Sequence, residues 1–185
     1  MTNIDTIILI DAYEHQTMNT NYFDVPTHIE LYNTMFEHLS HIIKICEPKL
    51  MVLSAYGSCH ETEKCSTDLI FKKLPIKKVS AYSPYNLNRH DIFEKNVLLA
   101  GVSFFTCVRM RELGIRTLML YGANVYSTPA VVGCYGRPNI DHNVVKEKLH
   151  KVFDDDFIND KEIEWTKDFE YYPGSYLYKA GRPNL

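Results

Sequence analysis

Three kinds of side chain in this sequence would together supply a nucleophile, a base and an electrostatic organiser: Cys107, Asp11 and the pair Lys77 and Lys78. Cys107 follows an apolar run, Gly101 and a short turn, and it opens a helical stretch reaching Leu113. The unpaired N–H groups and the dipole at a helix start stabilise a thiolate. The same N–H groups hold a developing oxyanion. A lysine nearby lowers the thiol pKa further, and an aspartate accepts the thiol proton. Each residue also has an ordinary structural reading. A free cysteine commonly packs as a small hydrophobe, an aspartate after a strand caps a turn, and a strand lysine faces solvent or an edge.

These groups need strands and helices to bring them together. Thr6-Ile-Ile-Leu-Ile-Asp11 reads as a strand buried on both faces, as in a parallel sheet. No GxGxxG follows it, which removes the main support for dinucleotide binding. Thr27 and Glu30 have capping-box spacing, so a helix is predicted from there to Cys46, stopped by Pro48. Ile29, Tyr32, Met35, Phe36, Leu39, Ile42, Ile43 and Cys46 form its buried stripe, with Glu37, His38 and His41 at the solvated margin.

Further strands are predicted over 50–56, 76–82, 97–101 and 116–121, with short helices over 66–73 and 88–95, the latter turning Ile92 and Phe93 inward. Gly114 stands where a helix from Cys107 would stop. Residues 123–138 read as a loop, and Asp141 as the cap of a helix over 142–153. The alternation of strands and helices predicts one α/β domain over 1–185. Its expected form is a three-layer α-β-α sandwich with a mainly parallel, Rossmann-like central sheet of five to six strands. Residues 160–185 are expected to be an arm on a partner subunit or a last strand over 176–179. In such sheets ligands sit outside the carboxyl ends of the strands.

Composition narrows the function classes. The chain has 185 residues, 45% hydrophobic and 23% charged, which suits a single packed core. Its formal net charge is -3, and no Lys/Arg run exceeds two residues, so nucleic acid is not an expected partner. No apolar stretch approaches the ~18 residues of a membrane span. The first residues lack the features of a signal peptide, so the expected location is cytoplasmic. The five cysteines are irregularly spaced and form no CxxC pair, as expected of free thiols without a structural zinc. The aromatic tail from Trp165 to Tyr178 needs burial, in the domain or against another subunit, and a homo-oligomer is expected.

The segment Leu99-Ala-Gly-Val-Ser-Phe-Phe-Thr-Cys-Val-Arg109 resembles the active-site turn of the isochorismatase-like cysteine hydrolases, a superfamily that includes nicotinamidases and N-carbamoylsarcosine amidase. The shared pattern is a strand, Gly-Val, four variable residues, then Cys-Val. Ile8-Leu-Ile-Asp11 resembles the family's first strand, and Ala81-Tyr-Ser-Pro-Tyr85 resembles the segment after its lysine. The likeness runs over about residues 5–125, with the three pieces in the family's order. It implies an Asp-Lys-Cys triad of Asp11, Lys78 and Cys107, with Lys77 the alternative lysine.

In that scheme Cys107 attacks the carbonyl of a small amide or related substrate and forms a thioester, which water resolves. The resemblance also implies a cis peptide between Val102 and Ser103, main-chain N–H donors around Val102, Ser103 and Thr106, and substrate contacts from Tyr13, Tyr82 and Phe104. Phe104 and Phe105 stand where the family usually has Thr and an acidic residue. Gly57-Ser-Cys-His60 replaces the Asp-x-His metal segment of some nicotinamidases, so no metal or other cofactor is expected. The alternatives are a non-catalytic binding or assembly protein of the same fold, motivated by the two phenylalanines, and a nucleotide-binding Rossmann-like domain, which lacks a glycine-rich phosphate loop.

Overall fold

The computed structural model describes residues 3–10, 25–54, 79–81, 89–101, 108, 113–132, 147, 153 and 163–182, with the side chains of 25–32, 50–54, 79–81 and 89 outside that description. The sheet begins with β1 (Thr6–Ile10), all five residues of which are buried. The helix α1 (Val25–Cys46) follows, and then β2 (Leu50–Ser54) and β3 (Val79–Ala81). A short helix α2 (Arg89–Ile92) leads into β4 (Asn96–Gly101). Next come helix α3 (Ile115–Leu120), β5 (Asn124–Ser127) and a 3-10 turn (Pro129–Val131). The hairpin of β6 (Glu164–Tyr172) and β7 (Ser175–Gly181) completes the order.

The seven strands among the described residues join one mixed sheet in the order β3-β2-β1-β4-β5-β7-β6. The first five run parallel, and β7 pairs antiparallel with both β5 and β6. The sheet is thus α/β and mainly parallel, as expected, with seven strands where five to six were predicted. The hairpin accounts for the excess: residues predicted to give one last strand give two, and they extend this chain's own sheet.

Alternation along the central strands divides the core. Ile7 and Leu9 of β1 and Leu98 and Ala100 of β4 pack with Met35, Leu39, Ile42, Ile43 and Cys46 of α1. Ile8, Ile10, Val97 and Leu99 turn the other way, onto Ile92, Val108, Leu113, Ile115 and Leu118. Period-two geometry sends neighbouring residues to opposite faces, so a run of isoleucine and leucine is read by both. Burial of each such side chain contributes roughly 1.5–3 kcal/mol. From Met35 to Cys46 the stripe of α1 matches its sequence periodicity, and the helix begins two residues before the predicted start, with Pro26 in its first turn, where a missing N–H is harmless.

Three sequence expectations are corrected. The predicted strand 116–121 is helix α3, with Gly114 as its N-cap rather than the stop of an earlier helix. Ile115 and Leu118 are buried at i, i+3 spacing while Leu120 is 65% exposed, a one-sided pattern that a strand buried on both faces does not have. The predicted loop 123–138 contains β5 and the 3-10 turn. Phe93, expected inward, is 46% exposed, and its ring lies over Gly122, where φ is +80° and an added Cβ would stand 2.8 Å from the ring. Glu147 and Phe153 are helical within the segment predicted as a helix, and Phe153 stacks against Trp165 and Tyr178 of the hairpin at 4.6 and 5.1 Å. The predicted helix over 66–73 lies outside the described residues. No described helix is long and apolar enough to cross a membrane.

Candidate active site at the sheet's switch point

From β1 the chain proceeds outward through β2 and β3, and then returns to the other side of β1 with β4 and β5. The strand order therefore reverses between β1 and β4, and open parallel sheets form their ligand crevices outside the carboxyl ends at such a reversal. In register, the two strands finish level: Ile10, the last residue of β1, pairs with Gly101, the last of β4. Asp11 is the next residue after Ile10, and Cys107 comes six residues after Gly101 in sequence.

Gly101 is demanded by this edge. Its φ is +153°, and a Cβ there would lie 2.3 Å from the Ile10 carbonyl oxygen and 3.1 Å from a Val108 methyl. Only glycine allows the two backbones to approach this closely at such a φ. Val108 is fully buried and helical, so the residue after Cys107 is anchored in the core beneath the switch point.

β5 lies on the other side of β4 from β1. Ser127 and Thr128 are buried polar residues, and the Ser127 hydroxyl donates to the Leu99 carbonyl at 2.8 Å. This bond ties β5 to β4 near their carboxyl ends. The 3-10 turn then diverts the chain, and Val132 returns to bridge Gly101 in parallel. Gly101 is thereby flanked by Ile10 on one side and Val132 on the other.

The catalytic residues expected from sequence, Asp11, Lys78 (or Lys77) and Cys107, lie outside the described residues, as do Tyr13, Tyr82, Val102, Ser103, Phe104 and Thr106. The expected Val102–Ser103 cis bond falls there too. Their flanking elements are described. Val79, which follows Lys78, is level with Met51 and through it with Ile7, three positions before Ile10. Ala81, which precedes Tyr82, is level with Leu53 and Leu9. Register thus brings the starting points of the Asp11 and Cys107 segments together at one edge, and it leaves the β3 entry further back along the sheet.

A second polar cluster escaped the sequence reading. His38 and His41, expected at a solvated margin, both face the terminal hairpin. The Tyr171 hydroxyl and His38 Nδ1 are 2.7 Å apart, and the rings of His41 and Tyr172 are 4.8 Å apart. Burial pushes the Tyr171 phenol up to about 12, against the opposing effect of hydrogen bonds from Thr128 and Ser175. Burial also lowers the His38 pKa, with Glu37 opposing and His41 reinforcing the shift. No local signal marks the pair, because its members are 133 residues apart.

Among the described residues, no group of three or more His, Cys, Asp or Glu side chains could hold a metal ion. Comparison with known proteins gives no match to a family model, a curated protein or a solved structure.

Proposed function

We propose that this chain is a cysteine-dependent hydrolase of the isochorismatase-like type, a three-layer α-β-α domain acting on a small amide or related carbonyl substrate. One observation carries the reading: β1 and β4 end level with one another at the sheet's switch point, Ile10 against Gly101, with a glycine that the backbone contact requires. The residue following one strand is Asp11, and the segment following the other runs to Cys107. The family resemblance assigns these positions to base and nucleophile, and it alone assigns the lysine to Lys78.

In this scheme Asp11 takes the Cys107 thiol proton, and the thiolate forms a bond to the substrate carbonyl carbon. The tetrahedral oxyanion is held by main-chain N–H groups of the turn around Val102, Ser103 and Thr106. Collapse breaks the C–N bond, and the proton on Asp11 leaves with the amine. Water, deprotonated by Asp11, then attacks the thioester and releases the acid and the thiol. Lys78 favours both ionised partners, and Tyr13, Tyr82 and Phe104 contact the substrate. A homo-oligomer with no metal or other cofactor belongs to the same proposal.

The test combines thiol reactivity with turnover. Alkylation of Cys107, with Cys107→Ala as the control for the other four cysteines, is expected to be fast well below the ordinary thiol pKa of ~8.5. Hydrolysis of small primary amides should fall by roughly 10³-fold or more in Cys107→Ala and in Asp11→Asn. Retained turnover in both variants overturns the reading. A second reading, a non-catalytic binding protein of the same fold, is favoured by Phe104 and Phe105, two large apolar rings in the turn. It predicts a Cys107 that titrates as an ordinary thiol and a wild-type chain without amidase activity.

A further inference from the structure

The contact between α1 and the terminal hairpin combines apolar packing with a polar margin at His38 and His41. Around it α1 presents Leu39 and Ile42, and Leu177 of β7 belongs to the same buried cluster. At the margin, His38 meets Tyr171, a tyrosine only 4% exposed, through the 2.7 Å contact. The Tyr171 hydroxyl also receives side-chain hydrogen bonds from Thr128, the residue before the 3-10 turn, and from Ser175 at the start of β7. One phenol thus joins α1, β6, β7 and the turn that carries Val132 to Gly101.

We propose that His38 and Tyr171 form an acid-released latch, which holds the β6–β7 hairpin, and through Thr128 the Pro129–Val131 turn, against α1. The reason lies in donors and acceptors. With neutral His38 carrying its proton on Nε2, the phenol donates to Nδ1 while its oxygen accepts from the Thr128 and Ser175 hydroxyls. Protonation turns Nδ1 into a donor. The cluster then gains a donor and loses its nitrogen acceptor, and the Tyr171 proton has to compete with the hydroxyls that served it. A positive charge also enters a partly desolvated site.

The charged and titratable groups around His38 are Glu37 and His41 of α1 and Tyr171 and Tyr172 of β6, with the neutral hydroxyls of Ser175 and Thr128 from β7 and the turn. Glu37 favours the imidazolium, while burial and His41 disfavour it, and burial is the largest influence. Glu170 of β6 accepts the Gly174 N–H across the hairpin turn. Because the folded pKa is depressed, the latch is complete above the ordinary histidine pKa and is lost as pH falls through the folded value. It operates whether or not Cys107 is a nucleophile.

Amide hydrogen exchange on the full chain, corrected for intrinsic rates, at pH values from about 7.5 down to about 5.5 tests it. Protection in 164–181 and 128–132 should fall several-fold more on acidification than protection in 6–10 and 96–101. His38→Asn supplies a non-titrating acceptor near the Nδ1 position, and it should keep protection at neutral pH and abolish the extra acid loss. His41→Asn should retain that loss. Equal loss across all four segments overturns the proposal, as does hairpin release that survives in His38→Asn. If that variant does not fold, the wild-type His38 ring titration decides: a midpoint coinciding with the loss of hairpin protection supports the latch, and a separate midpoint overturns it.

Discussion

Gly101 shows how one position governs the switch point. Its replacement by alanine drives a methyl into the Ile10 carbonyl and imposes a side chain at φ +153°. Gly101→Ala is expected to cost about 3 kcal/mol or more, read from urea unfolding, because the contact is with backbone that cannot move aside. This glycine was legible in the sequence as part of a Gly-Val-x₄-Cys-Val pattern, and the level pairing with Ile10 supplies a physical reason for it. The polar residues around it were less legible. Ser127 and Thr128 read as loop chemistry, and their burial follows from β5 entering the sheet, which their own side chains do not signal. His38 and His41 looked like surface residues because helical periodicity describes only one helix, and the strand that covers its margin comes from the far end of the chain.

At the level of elements, periodicity succeeded where burial is simple. The unbroken apolar run of β1 and the threes and fours of α1 each predicted their structure, since each buries a face that the spacing alone defines. Leu39, fully buried between α1 and the sheet, is a direct measure of that packing. Leu39→Ala should lower unfolding free energy by about 2–5 kcal/mol, while Leu120→Ala, at a site 65% exposed, should change it by less than about 0.5 kcal/mol. Chemical denaturation of the two variants side by side checks the contrast. α3 was misread as a strand because six residues with isoleucine, threonine and leucine satisfy either period, and Gly114 can end one helix or begin the next. The hairpin was underestimated for a related reason. β6 has a mostly exposed face and two register irregularities, so it never shows the continuous apolar run that marked β1.

For the whole molecule, two buried phenols, one on β5 and one on the terminal hairpin, make stability sensitive to alkali. Burial pushes the phenols of Tyr126 on β5 and Tyr171 on β6 up to about 12, with Asp168 adding to the shift at Tyr126. The unfolded chain loses these protons near pH ~10. Above that pH the unfolded state is favoured progressively, and stability contributed by the neutral phenols is lost between about pH 10 and 12. Unfolding followed against pH should show this decline, and Tyr171→Phe should make it shallower. The same hairpin has a consequence for how the protein is made. The strand that pairs with β5 on its outer side is β7, and synthesis must pass from Ser127 to Ser175 before that ladder can form. At ~5–20 residues per second this interval lasts roughly 2–10 s on the ribosome. Throughout it, the nascent sheet lacks β7, so β5 is the strand with which a second nascent chain or a chaperone competes.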